Sequence, residues 1–172
     1  MADLLPVLRV LGVLLAMFAT SMAVPLATSW YADDGLWPAY VWSIGITWVV
    51  SGVLWINTNA YRRELLPRHG VMLVSMVWVV LPLFAALPLM LATHQIGRPL
   101  SFTHAYFEAV SGLTTTGGTV MTQLDQLPLS INMWRTFMQW IGGMGILILA
   151  VAVLPLLGVG GSQLFKAEAA GP

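Results

Sequence analysis

The sequence predicts an all-α integral membrane protein, with two transmembrane helices followed by one unit of helix, pore loop and helix. Three observations carry that expectation. Charged residues make up 8% of the 172 positions and hydrophobic residues 58%, whereas a soluble domain carries roughly 25% charge. Long uncharged runs recur, each near the roughly 20 residues that span a bilayer. Between the third and fourth runs, His94 to Met133 is too short and polar for two further crossings and too apolar for a solvated loop.

The first run, Val10 to Tyr31, is interrupted only by Pro25 and ends at Asp33, Asp34 and Gly35. It follows an N-terminal stretch whose only positive charge is Arg9, and it exceeds the usual core of a signal peptide, so it reads as a crossing and not as a cleaved leader. The second, Trp37 to Tyr61, has Trp37, Tyr40 and Trp42 at one end and Trp55 and Tyr61 near the other, the placement of interfacial aromatic belts. The third, Val71 to Thr93, covers some 35 Å at about 1.5 Å per residue; Pro82 and Pro88 are expected to bend it. The fourth, Trp134 to Leu157, contains Gly142, Gly143 and Gly145, which permit close helix approach.

Orientation follows from the basic residues. Arg62, Arg63, Arg68 and His69 cluster between the second and third runs, and positive residues mark the cytoplasmic side. The N-terminus is then cytoplasmic and the turn at Asp33 and Asp34 external, where these charges read as solvated. Lys166 also falls inside; Arg98 and Arg135 fall outside.

The segment from about 101 to 119 carries the functional expectation. Ser101 to Gly112 reads as a helix that Ser101 or Thr103 can cap, with Phe102, Tyr106, Phe107 and Val110 as its apolar face. About twelve residues cannot span. Leu113, Thr114, Thr115, Thr116, Gly117, Gly118 and Thr119 then favour extended backbone. Non-helical backbone at membrane depth is tolerated only where protein buries it or water lines it. A short helix running into Thr and Gly suits a re-entrant loop whose carbonyls, at Thr115, Thr116 and Gly117, replace the hydration shell of a cation. The same residues also fit an ordinary loop. Glu108, inside the short helix, reads as structural support that accepts hydrogen bonds from the loop or pairs with Arg135.

FEAVSGLTTTGGT at Phe107 to Thr119 and LPLSINMWRTFMQWIGGMGILILAVAVLPLLGVGG at Leu127 to Gly161 resemble the Trk/Ktr/HKT potassium transporter superfamily, and within it the TrkH-type subunits. The resemblance continues through Ser162 to Pro172 and back over Arg62 to Thr93. It implies a potassium-channel-like fold of four membrane-pore-membrane repeats preceded by two extra helices. Residues 1–61 would be the N-terminal hairpin and 62–172 the first repeat. It further implies that Thr114, Thr115, Thr116, Gly117 and Gly118 supply one quarter of a selectivity filter, with Gly117 at the family's filter glycine and Gly118 where the family more often has Ala. Potassium uptake across a bacterial inner membrane follows, together with a cytoplasmic nucleotide-sensing regulatory subunit and a homodimeric complete protein. One repeat is a quarter of such a pore, so the chain is expected to be a truncated or partial sequence, or to assemble with copies of itself or with the remainder of the transporter.

Other chemistries find little support. Seven Lys and Arg balance seven Asp and Glu, leaving no basic field for nucleic acid. The chain has no Cys, which excludes disulfides and thiolate sites. His94 and His104 lack further ligands at metal spacing, and the glycines at Gly158 to Gly161 lack the strand and Lys of a phosphate loop. No enzyme activity and no cofactor are expected. The rival reading is a membrane scaffold in which the Thr-Gly segment is only a buried turn.

Overall fold

The computed structural model describes residues 4–58 and 67–153. Its regular structure is helical, with no strand among the described residues: α1 (Leu4–Ser21), α2 (Ala23–Ala32), α3 (Trp37–Thr58), α4 (Pro67–Gln95), α5 (Phe102–Leu113) and α6 (Leu129–Val153), with a 3-10 turn at Leu124–Gln126. Asp3, the basic stretch from Arg62 to Glu64, the glycines from Gly158 and Lys166 lie outside the described residues.

Among the described residues, three helical stretches are long and apolar enough to cross a membrane: Leu4–Ala32, Trp37–Thr58 and His69–Gln95. The first is broken at Met22. Proline has no N–H to donate, and its ring crowds the carbonyl four residues back. For Pro25 that carbonyl is Ser21, where α1 ends. Helix α6 has 25 residues, about 37 Å of axis. It begins at Leu129, ahead of the expected Trp134, because the Pro128 carbonyl already accepts from Ile131 N and Asn132 N (3.1 and 3.3 Å). Of the expected fourth span, Leu154 to Leu157 falls outside the described residues, as do Asn59 to Tyr61 of the second.

Helix α4 runs through Pro82 and Pro88 without a break. Carbonyls in this stretch take donors from other elements: Tyr106 Oη donates to Val79 O (3.1 Å) and Trp134 Nε1 to Ala85 O (3.0 Å). Its end is a Schellman motif, with Gly97 at φ 73, Gly97 N on His94 O and Arg98 N on Thr93 O (3.2 and 3.0 Å). The Thr93 hydroxyl then accepts from Leu100 N (3.2 Å) and turns the chain into α5.

Close approach between helices rests on small residues, as expected where lipid offers no hydrophobic drive for helix association. A Cβ on Gly12 of α1 would lie 3.3 Å from Leu54 Cβ of α3. The Ser51 hydroxyl crosses the same seam to Gly12 O (2.6 Å), and Trp48 Nε1 reaches Ala16 O (3.3 Å). Trp134 is fully buried and ties three elements: its ring meets Phe18 of α1 at 5.7 Å and its N–H meets α4.

The α2–α3 turn is more than a solvated corner. Asp33 adopts φ 49 at the left-handed position of a second Schellman motif, with Asp34 N on Ser29 O at 3.3 Å. Asp34 Oδ1 accepts from the Ser29 hydroxyl and from Leu36 N (3.1 Å), and Oδ2 from Ser130 N at the start of α6 (3.2 Å). Burial by itself raises the Asp34 carboxyl, but the Ser29 hydroxyl and the backbone donors Leu36 N and Ser130 N outweigh it and hold the group below the ordinary carboxylate range. The expectation that Asp34 is merely a solvated turn charge is thereby corrected.

Helix α5 packs between α4 and α6. Its last residue, Leu113, lies against Gly142, thirteen positions along α6 from Leu129, or about 20 Å of axis. Both ends of the segment between α4 and α6 stay together, with Arg98 Nη2 3.5 Å from Gln126 Oε1. The chain therefore dips into the fold and returns on the side it entered. A Cβ on Gly142 would overlap the Leu113 carbonyl, whereas one on Gly145 meets nothing within 4 Å. Gly142→Ala is expected to destabilise the fold by about 1–3 kcal/mol through overpacking, with Gly145→Ala near neutral or better. Thermal unfolding of the detergent-solubilised variants checks the contrast; equal melting would contradict the Gly142 contact.

Candidate pore loop

The loop is built on α5. Ser101 caps the helix, its hydroxyl accepting from His104 N (3.3 Å) with φ −64 and ψ 158; Thr103 is already inside the helix. The expected apolar face packs only in part, with Tyr106 and Val110 half-buried. Phe102 and Phe107 are 53% and 46% exposed, whereas Ala105, Glu108, Ala109, Ser111, Gly112 and Leu113 are buried. Between apolar helices, close fit and polar bonds decide which face turns inward, not hydrophobicity. A Cβ on Gly112 would stand 3.2 Å from Met138 Cβ, so the small face lies hard against α6.

After Leu113 the backbone folds back over the helix end. Thr114 N bonds Val110 O (2.8 Å), Thr115 N bonds Gly112 O (3.0 Å), and Ser111 O accepts from both Thr116 N (3.0 Å) and Gly117 N (3.4 Å). These bonds satisfy carbonyls that a helix C-terminus leaves without partners. Thr115 has φ 58 and Gly117 φ 74. The first is an outlier for a β-branched residue, a conformation that costs on the order of 1–3 kcal/mol and is retained where surroundings enforce it. Thr114 Oγ1 caps Val110 O and meets Thr116 Oγ1, both at 2.8 Å. Residues 115–120 form an exposed strip.

Glu108 holds the returning limb. It is 3% exposed, and its Oε1 accepts from Thr119 Oγ1 (2.5 Å), Val120 N (2.6 Å) and Met121 N (3.3 Å). Its Oε2 faces Arg135 Nε of α6 at 3.2 Å. A carboxylate at this depth is tolerable because each oxygen has donors and the charge has a partner. The hydrogen-bonding and ion-pairing roles weighed for Glu108 thus occur together.

Gly118 is engaged differently from its neighbours: its carbonyl accepts from the Ser111 hydroxyl at 2.6 Å. A Cβ there would make only ordinary contacts, 3.6 Å from both Phe107 Cζ and Ser111 Oγ. Ser111 was not singled out by the sequence, although it lies three residues after Glu108 on the same helical face, a polar pair on an otherwise apolar helix. Arg98 pairs with the Gln126 amide, not with a carboxylate.

Membrane-length helices flanking a short helix and a non-helical loop define a multi-pass membrane protein. The family model TrkH, described as cation transport protein, matches residues 38–172, and the chain belongs to that family. It is 46% identical over 166 residues to the Trk system potassium uptake protein TrkH of Halomonas elongata, covering 96% of this chain and 34% of that protein. Against the protein of the same name from Escherichia coli K12, identity is 40% over 95% of this chain and 33% of that one. The crystal structure of the potassium transporter TrkH from Vibrio parahaemolyticus aligns with a TM-score of 0.82 at 36% identity, over 95% of this chain and 35% of that chain. The chain spans about one third of the length of the relatives it matches.

Removing the Glu108 carboxylate strands Val120 N–H and the Arg135 guanidinium. Glu108→Ala is expected to cost about 3–5 kcal/mol and to speed amide hydrogen exchange at Val120 and Met121, while Glu108→Gln keeps an acceptor and costs less. Exchange rates unchanged in Glu108→Ala would contradict the anchoring role.

Proposed function

We propose that this chain supplies one pore-loop unit, about a quarter of the pathway, of a potassium uptake protein. In this reading residues 1–61 form an accessory hairpin and 62–172 the first repeat. The carbonyls of Thr115, Thr116 and Gly117 line the ion path, flanked by Thr114 and Gly118, and potassium is the transported substrate. The observation that carries the reading is the exposed strip at 115–120, non-helical and set against Gly143 at the middle of α6, left-handed at Thr115 and Gly117 and pinned from behind by buried Glu108. An ordinary buried turn would not leave this run of residues exposed. The potassium-transport names of the relatives support the same choice of cargo.

The remaining parts of the proposal follow from family membership and residue placement. The protein lies in a bacterial inner membrane with its N-terminus cytoplasmic, and the remaining repeats complete the pore. The whole assembles as a homodimer on a nucleotide-sensing regulatory subunit. A scaffold role differs in a measurable way, because it requires assembly but not the loop's conformation.

The test uses the chain extended to the length of its relatives, expressed in a bacterium deficient in potassium uptake. Serine at a φ of 74 is strained by roughly 1–2 kcal/mol, so Gly117→Ser is expected to lower the ratio of potassium to sodium uptake by about tenfold. Gly118→Ala, which meets only ordinary contacts, is expected to leave that ratio unchanged. Potassium-dependent growth indifferent to Gly117→Ser would sink the filter assignment and favour the scaffold.

A further inference from the structure

We propose that Asp34 is a positioning residue for the pore loop, capping α6 from the accessory hairpin and so setting the place from which Arg135 holds Glu108. The inference rests on the pore-loop reading above and adds a role for the hairpin.

The first backbone N–H groups of a helix have no partner within it, and an anion there also meets the positive end of the helix dipole. Helix α6 has no acidic residue in its own first turn. Its acceptor comes instead from a residue 96 positions earlier: Asp34 Oδ2 takes Ser130 N at 3.2 Å. The other oxygen is committed to the hairpin through the Ser29 hydroxyl and Leu36 N. One carboxylate therefore joins the end of α2, the entry to α3 and the start of α6.

Ser29 and Ser130, the partners on either side, are almost fully buried, while the Asp34 side chain itself is half-buried. Five residues beyond Ser130, Arg135 meets Glu108, whose other oxygen holds Thr119, Val120 and Met121. A path of direct contacts thus runs from the external turn of the hairpin to the returning limb of the loop. Coupling along this path is read as non-additivity of substitutions at its two ends.

The measurement is the potassium-to-sodium uptake ratio of the extended chain at matched membrane abundance. The variants are Asp34→Ala, Asp34→Asn, Glu108→Gln, Gly117→Ser and the combination of Asp34→Ala with Glu108→Gln. Asp34→Ala is expected to lower the ratio several-fold. Asp34→Asn, which keeps one acceptor oxygen, is expected to lower it less. The combined variant is expected to fall no further than the more affected single variant. An unchanged ratio in Asp34→Ala, or effects that simply multiply with Glu108→Gln, would overturn the proposal. Should Asp34→Ala fail to reach the membrane, Asp34→Asn decides by the same criterion, alone and combined with Glu108→Gln. Gly117→Ser separates the two levels: if it shifts the ratio and the Asp34 variants do not, the positioning role fails and the pore reading stands; if neither shifts it, both fail.

Discussion

Glu108 and its donors make the rest of the loop possible. Backbone that leaves a helix inside a bilayer exposes N–H and C=O groups that lipid cannot satisfy, each at a cost of several kcal/mol. Here one carboxylate oxygen takes two backbone N–H groups and a threonine hydroxyl from the returning limb, while the carbonyls at the end of α5 take the N–H groups of Thr114 to Gly117. The loop is thus anchored on its inner side, and the strip at 115–120 is left exposed. Arg135 offsets the charge that this arrangement buries.

Placing that carboxylate requires helices to approach closely, which explains where the small residues fall. Gly112 and Gly142 bring α5 and α6 together at the depth of the loop, and Gly12 does the same for α1 and α3. Bulk lies elsewhere: Phe102 and Phe107 face outward, and Trp134 fills the centre while donating to α4. The α2–α3 turn reaches α6 by a polar route as well, through Asp34 at its start.

The spans were legible because membrane-length uncharged runs are a one-dimensional signal, and α5 was legible from Ser101 and the Thr-Gly run. The departures have a common physical origin. Helical periodicity points Phe102, Tyr106, Phe107 and Val110 to one face but does not say which face packs, because in lipid an apolar face is equally at home outside. Asp34 looked like a solvated turn charge because its partner Ser130 is remote in the sequence. Ser111 was hidden by being an unremarkable helical serine until the loop folded over it. Local chemistry could be read from the sequence; pairings between distant segments needed the fold.

If the loop lines an ion path, the carbonyls of Thr115, Thr116 and Gly117 hold the transported cation. The most direct measurement is the anomalous scattering of rubidium, replacing potassium, in crystals of the extended chain. Density is expected beside the carbonyl oxygens of Thr115, Thr116 and Gly117, lost in Gly117→Ser. Rubidium bound only elsewhere, with these carbonyls unoccupied, would contradict it.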